Sequence, residues 1–274
     1  MTSTEGVRQS CFDSLAGALA LRSRELPAVV GSGGKSAALQ LLAAELGSGA
    51  RDGRALVTTT TKMMLDQLKA AAPVVLQCDF PGLLSELRQE AHRRPVVAAA
   101  RSVDGSGKAS GLPPDWIDEL WSTGVFDVFL VEADGSRGRS LKAFAPHEPQ
   151  VPRAATTVVQ VVGIDVLGTP LVEANVHRAG LLSAALGVPL GASITSDLLV
   201  GALRYQLAAL RAGCPHSRVV TLLNKAEDGD SREAGLRIAR TLMAGEIPLG
   251  ILTSLFGAII FLGLMMFQRT KVKQ

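Results

Sequence analysis

The sequence predicts an α/β fold: a mostly parallel sheet with helices on both faces. Three observations carry that expectation. Short apolar runs alternate with amphipathic stretches along most of the chain, the pattern of strands joined by helical crossovers. The composition is 47% hydrophobic but only 4% aromatic, so Ala, Leu, Val and Gly must build the core. That mixture suits a buried sheet packed by small-residue helices. A glycine cluster, VVGSGGKS (29–36), stands between the first clear strand and the first long helix.

The elements follow in order. Leu26–Val30 reads as a strand and Lys35–Leu46 as a helix, with Gly47–Gly53 as a loop. Ala55–Thr58 is a second strand, Thr60–Ala72 a helix and Pro73–Gln77 a short strand. Pro95–Ala100 is extended, and RSVDGSGKASGLPP (101–114) is a loop rich in turn residues. Asp115–Ser122 is a short helix with Pro114 near its start. Val125–Val131, Thr157–Val162 and Val219–Leu223 are strands, while Leu181–Leu186, Ser196–Ala212 and Ser231–Met243 are helices. The sequence has no internal repeat.

Bulk properties narrow the function. The 274 residues make one large domain or two small ones. A net charge of +3 without a long basic stripe gives no reason to expect nucleic acid. Cys11, Cys78 and Cys214 are scattered, follow no metal-ligand spacing and fit a reducing cytoplasm. Met1–Ser10 is polar, without the apolar core of a signal peptide. Composition shifts near Gly245, dividing the chain into an α/β domain over 1–244 and an apolar segment with a basic tail over 245–274. Ile247–Phe267 carries no charge, and as a helix would reach roughly 30 Å, a bilayer core. Arg269, Lys271 and Lys273 follow and would stay on the cytoplasmic side. The segment is either a single helix anchoring a cytoplasmic domain in the inner membrane or a very apolar buried helix. A domain helix usually keeps one polar face, which favours the membrane.

The glycine cluster is the first candidate site. Backbone N–H groups at a helix N-terminus can enclose phosphate oxygens, and glycines let the backbone close in. Gly31, Ser32, Gly33, Gly34, Lys35 and Ser36 would form this P-loop, with Lys35 neutralising the outer phosphates and Ser36 offering its hydroxyl to Mg²⁺. The full G-x-x-x-x-G-K-[ST] pattern is not met, because Val29 stands where its first glycine belongs. The shorter arrangement resembles the loop of ATP-dependent Mur ligases; the alternative is a structural turn with a solvated lysine.

Three companions support a phosphate site. VTTTTKMM (57–64) places Thr59, Thr60 and Lys62 at a strand end, where ligand crevices form in doubly wound sheets. VFLVEADGSRGR (128–139) ends a buried strand in Glu132 and Asp134, candidates for the metal or an attacking water, with Arg137 and Arg139 able to meet phosphoryl charge. LLNKAE (222–227) resembles the N-K-x-D element that reads guanine, with Glu227 in place of Asp; Asn224, Lys225 and Glu227 are therefore base-binding candidates. Each also has a plain reading, as a strand end, a salt-bridged turn or a loop. The histidines of HEP (147–149) and VHR (176–178) read as structural.

Taken together, VVGSGGKS, VTTTTKM, DGSGKASGLPPDW, VEADGSRGR with the downstream HEP, VVGID, VHR and LLNKAE resemble YqeC-type proteins over roughly residues 12–243. The resemblance implies a P-loop NTPase-like fold, a nucleoside triphosphate (ATP or GTP) with Mg²⁺, and a role beside selenium-dependent molybdenum hydroxylases. The implied partner is the hydroxylase or its molybdenum cofactor, during cofactor maturation or selenium insertion. Ser140, Phe144 and Thr169 depart from the prolines and lysine the family pattern leads one to expect. Gly245–Met266 instead resembles the last helix of iron-siderophore ABC permeases, in place of a closing strand and helix, which would leave the edge at Val219–Leu223 open. Catalysis, if the chain is an NTP hydrolase or phosphoryl-transfer enzyme, would rest on Lys35, Glu132, Asp134 and Arg137. Rival readings are a membrane-associated transporter fragment fused to a nucleotide-binding domain, a Mur-like ligase, and a nucleotide switch with negligible turnover.

Overall fold

A computed structural model of the chain describes residues 10–12, 14–49, 53–243, 251–252 and 261–263. In chain order the strands are β1 (Ser10–Phe12), β2 (Pro27–Gly31), β3 (Ala55–Thr59), β4 (Lys62–Met64), β5 (Val74–Leu76), β6 (Val96–Ala100), β7 (Ser102–Val103), β8 (Lys108–Ser110), β9 (Val128–Glu132), β10 (Leu141–Lys142), β11 (Thr157–Gly163), β12 (Val176–His177), β13 (Arg218–Asn224), β14 (Ile251–Leu252) and β15 (Phe261–Gly263). The helices are α1 (Leu15–Ala18), α2 (Lys35–Gly47), α3 (Leu65–Ala71), α4 (Phe80–Arg93), α5 (Pro114–Thr123), α6 (Ala179–Leu186), α7 (Ser196–Gly213) and α8 (Gly229–Met243).

The main sheet runs β1-β15-β14-β13-β11-β2-β9-β3-β6-β5. Every pair from β14 to β5 is parallel; only β14–β15 and β15–β1 are antiparallel. Its central strands are buried on both faces, so they read as continuous apolar runs. In β2 the faces separate by residue. Val29 packs with Ala38, Leu39 and Leu42 of α2 on one side. Ala28 and Val30 join Leu83 and Leu87 of α4 and Leu207 and Leu210 of α7 on the other. A third cluster joins Val162 and Leu223 to Leu182, Leu203 and Ile238 of the last three helices.

Topology places the site. From β2 the chain moves outward to β3, β5 and β6, returns through β9 beside β2, then crosses to β11 on β2's other side. The carboxyl end of β2 is therefore a switch point, where α/β sheets open a crevice.

Several expectations need correction. Thr60–Ala72 is not one helix: β4 precedes α3, because alternate residues there face apart, with Met63 buried between exposed Lys62 and Met64. The expected loop 101–114 contains β7 and β8, which pair antiparallel and bring in β4 as a third strand. Helix α4 was not among the expected elements. Pro81 and Gly82 look like a turn but sit in the first turn of the helix, where Asp79 caps the Gly82 N–H at 2.8 Å. The expected apolar helix 247–267 is described at two places, and both are strands; its remainder lies outside the described residues. Among the described residues no helix is long and apolar enough to cross a membrane. The edge expected to be open carries β14, with Leu222 paired to Ile251 and Leu223 to Leu252.

Candidate functional site

The glycine cluster forms a tight loop between β2 and α2. Gly31 has φ +89°, and a Cβ there would lie 2.3 Å from the Val161 carbonyl oxygen. Gly33 has φ +83°, and its Cβ would lie 2.4 Å from the Gly163 nitrogen. Only glycine fits either position. The Ser32 N–H donates to Val161 O at 2.8 Å and the Gly31 N–H to Asp134 Oδ2 at 2.9 Å. Helix α2 then starts at Lys35 without a side-chain cap. Among the described hydrogen bonds, the N–H groups of Gly33, Gly34, Lys35, Ser36 and Ala37 have no protein acceptor. Five neighbouring donors at a helix N-terminus favour an anion.

These groups border a cavity of about 530 Å³ lined also by Lys62, Lys108, Glu132, Arg137, Arg139 and Lys225. Lys35 is only 4% exposed. Its ammonium donates to Gly31 O at 2.8 Å and Ser136 Oγ at 3.3 Å, and stands 3.3 Å from Asp134 Oδ1 and 4.0 Å from Glu132 Oε1. The Ser36 hydroxyl donates to Glu132 Oε2 at 3.1 Å. Burial pushes the Glu132 carboxyl above the ordinary carboxylate range, the Asp134 charge adds to it, and Lys35 offsets part. A divalent cation would relieve that burden. Among the described residues no three His, Cys, Asp or Glu side chains form a metal cluster, so a metal beside Ser36 and Glu132 would draw its other ligands from phosphate oxygens and water.

Asp134 is fully buried behind the loop and does not line the cavity. One of its oxygens takes the Gly31 N–H and the Lys142 ammonium, the latter at 3.0 Å. Thr59 and Thr60 also lie outside the cavity. The Thr59 hydroxyl accepts from the Thr61 N–H at 3.1 Å, and the Thr60 N–H donates to Glu132 O at 2.9 Å. Lys62 reaches the cavity but is held by Asp104 at 2.9 Å.

Asn224 ends β13 opposite Gly163. Its amide donates to Gly33 O at 2.8 Å, pinning the glycine loop, while its buried Oδ1 has no partner. Ser32 Oγ is likewise buried and unpartnered. Lys225, at φ +62°, donates to Ser140 Oγ and Asp165 Oδ2, both at 2.7 Å. Glu227 is exposed and does not line the cavity.

A family model described as "YqeC protein" matches residues 27–180. The uncharacterized protein YqeC of Escherichia coli (strain K12) is 32% identical over 220 residues, covering 80% of this chain and 83% of that one. The chain belongs to the YqeC family. Among solved structures, chloroplast FtsY from Physcomitrella patens aligns with a TM-score of 0.39 and 13% identity, over 88% of this chain. The alignment spans 62% of the FtsY chain, less than two thirds of its length.

In this YqeC-family chain a buried ionic chain extends the site beyond the residues legible as motifs. Lys142, with no exposed surface, joins Asp134 to Glu148 Oε2 (2.7 Å) and the Gly135 carbonyl (2.6 Å). Glu148 also accepts from Nη1 and Nη2 of the Arg178 guanidinium. Burial alone would raise the Glu148 carboxyl, but the Arg178 and Lys142 bonds outweigh it and hold it down at about 2. Glu148 and Arg178 are the neighbours of the two noted histidines, so those motifs matter through their charged members. Gln206 of α7 donates to the Lys142 carbonyl and accepts from Gln160, fixing β10 against the sheet. The Ser140 hydroxyl is an acceptor for Lys225. Thr169 bonds the Val166 carbonyl at 2.7 Å and does not line the cavity.

Proposed function

We infer that this YqeC-family chain binds a nucleoside triphosphate, ATP or GTP, with Mg²⁺. It serves as an accessory protein in the maturation of selenium-dependent molybdenum hydroxylases, at molybdenum cofactor or selenium insertion. The nucleotide part rests on one observation: five backbone N–H groups, Gly33 to Ala37, without protein acceptors beside a cavity that Lys35 borders. The hydroxylase part rests on the YqeC resemblance alone, and a hydroxylase or its cofactor is the partner it suggests.

In this reading the Gly33–Ala37 amides enclose the phosphates and Lys35 balances their charge. Asp134 orients Lys35 and locks Gly31, a supporting role behind the phosphate cradle. Ser36 and Glu132 hold Mg²⁺, which would neutralise charge on the phosphate oxygens. Arg137 stands exposed at the rim of the cavity and is left out of the nucleotide's own cradle. Lys225, which borders the cavity, faces the base with Asp165 positioning it, while Asn224, buried and outside the lining, holds the glycine loop. Any hydrolysis or transfer would depend on positioning and electrostatics.

Thermal melting with ATP, GTP and CTP, with and without Mg²⁺, tests the nucleotide part. A ligand at a hundred times its Kd adds about 2.7 kcal/mol, which is about 5–10 °C at roughly 2–4 °C per kcal/mol in a domain of this size. Lys35→Ala, folded by circular dichroism, should abolish the shift. An equal shift in that variant sinks the assignment. Co-purification with a molybdenum hydroxylase, and nucleotide hydrolysis with and without it, test the partner.

A further inference from the structure

The cavity carries more positive charge than one nucleotide explains. Its lining includes six basic residues and a single acid, Glu132. These cations differ in depth. Lys35 is buried and committed to the glycine loop, and Lys225 is tied to Asp165 and Ser140. Lys62, Lys108 and Arg137 are exposed at the rim.

Two elements build that rim. In the β4–β8 pair Met64 stands opposite Lys108 and Lys62 opposite Ser110, while Met63 and Ala109 are buried. Strand alternation therefore puts Lys62 and Lys108 on one exposed face. The other element is the turn after β9. The Arg139 N–H donates to Ser136 O at 3.0 Å, and its guanidinium donates to Glu173 O (2.9 Å) and Arg137 O (3.1 Å). Arg139 thus fixes the turn, with Arg137 in a left-handed backbone at φ +50°. Among the described residues, the Arg137 guanidinium and the Lys108 ammonium have no protein acceptor, whereas Lys62 has Asp104.

We propose that Arg137 and Lys108 form a second anion subsite for a small phosphomonoester, bound beside the nucleotide. The proposal rests on the nucleotide reading, because it assigns the floor of the cavity to the first ligand. The floor has its own cation and amide cradle, and Mg²⁺ offsets further nucleotide charge. The rim cations are left for another ligand. A guanidinium and an ammonium on separate elements suit the several oxygens of a phosphomonoester. The lining acid, Glu132, lies at the floor, so no carboxylate of the lining competes at the rim.

The test titrates inorganic phosphate into full-length protein saturated with Mg²⁺ and a non-hydrolysable nucleotide, read by ³¹P line broadening. Wild type should bind phosphate, and an Arg137→Ala/Lys108→Ala variant should bind at least tenfold more weakly. Nucleotide affinity of that variant should change less than threefold. Loss of phosphate binding together with nucleotide affinity would assign the rim to the nucleotide and overturn the proposal. No phosphate binding to loaded wild type, or equal binding by the variant, would also overturn it. If wild type takes up no nucleotide, the nucleotide reading fails separately. The rim is then titrated in Lys35→Ala, where phosphate binding must survive and must vanish on adding the two rim substitutions. Retention after those substitutions would overturn the subsite.

Discussion

Lys142→Met keeps the side chain's length and removes its charge. The wild-type ammonium is fully buried and bonds Asp134 at 3.0 Å, Glu148 at 2.7 Å and the Gly135 carbonyl at 2.6 Å. Methionine would leave two carboxylates sharing one cation fewer. Neither is orphaned: Asp134 keeps Lys35 and the Gly31 N–H, and Glu148 keeps Arg178. Removing one partner of a buried pair costs about 3–5 kcal/mol, and the surviving partners argue for the lower end, about 3 kcal/mol. At roughly 2–4 °C per kcal/mol, the melting temperature should fall by about 6–12 °C. Urea unfolding measures the loss, and a double-mutant cycle with Glu148→Gln isolates the pair, with an expected coupling of about 1 kcal/mol or more. A loss under about 1 kcal/mol, or strict additivity, would refute the view that this ionic chain braces the glycine loop.

Gly33→Ala should both destabilise the fold and weaken nucleotide binding at least tenfold by calorimetry, since its Cβ would lie 2.4 Å from a backbone nitrogen. Glu132→Gln should abolish the Mg²⁺ dependence of nucleotide affinity. In wild type the raised Glu132 carboxyl must lose its proton to hold the metal, so Mg²⁺-dependent affinity should climb with pH through that titration and stay flat in the variant. The same raised value means its stability contribution is present below the unfolded pKa and lost as pH rises through the folded one; Glu132→Gln should therefore be the more stable protein at neutral pH, measured without ligand. Glu148 works in the opposite sense. Its folded value of about 2 lies below the ordinary glutamate value near 4.3. Its contribution should be complete above that range and disappear as pH falls toward 2, and Glu148→Gln should flatten that part of the acid denaturation curve.

The parts of the fold legible in the sequence were those governed by local pattern. The buried strands around Val29, Val57, Leu130 and Val161 show as apolar runs because both their faces are covered. The glycine loop showed through composition, since its backbone angles exclude other residues. The three-stranded flap of β4, β7 and β8 did not, because β7 and β8 are only two and three residues long and the β4–β8 partners lie 44–48 residues apart, which leaves no local period. The roles of the acids were split by depth. Glu132 and Asp134 stand two apart at a strand end, yet Glu132 borders the cavity and Asp134 turns behind the loop to Lys142. Nothing in the spacing of Lys142, Glu148 and Arg178 joins them to Asp134. That chain exists only once β10 and β12 pair and bring Lys142 opposite His177, beside Arg178.

The most direct measurement follows the backbone ¹⁵N–¹H resonances of residues 33–37 while Mg²⁺ and the best-stabilising nucleotide are added. Gly33, Gly34, Lys35, Ser36 and Ala37 should show the largest shifts in the protein and lose exchange with solvent at saturation. Saturation with those five resonances unmoved, or no binding by any nucleotide of the panel, would contradict the nucleotide reading.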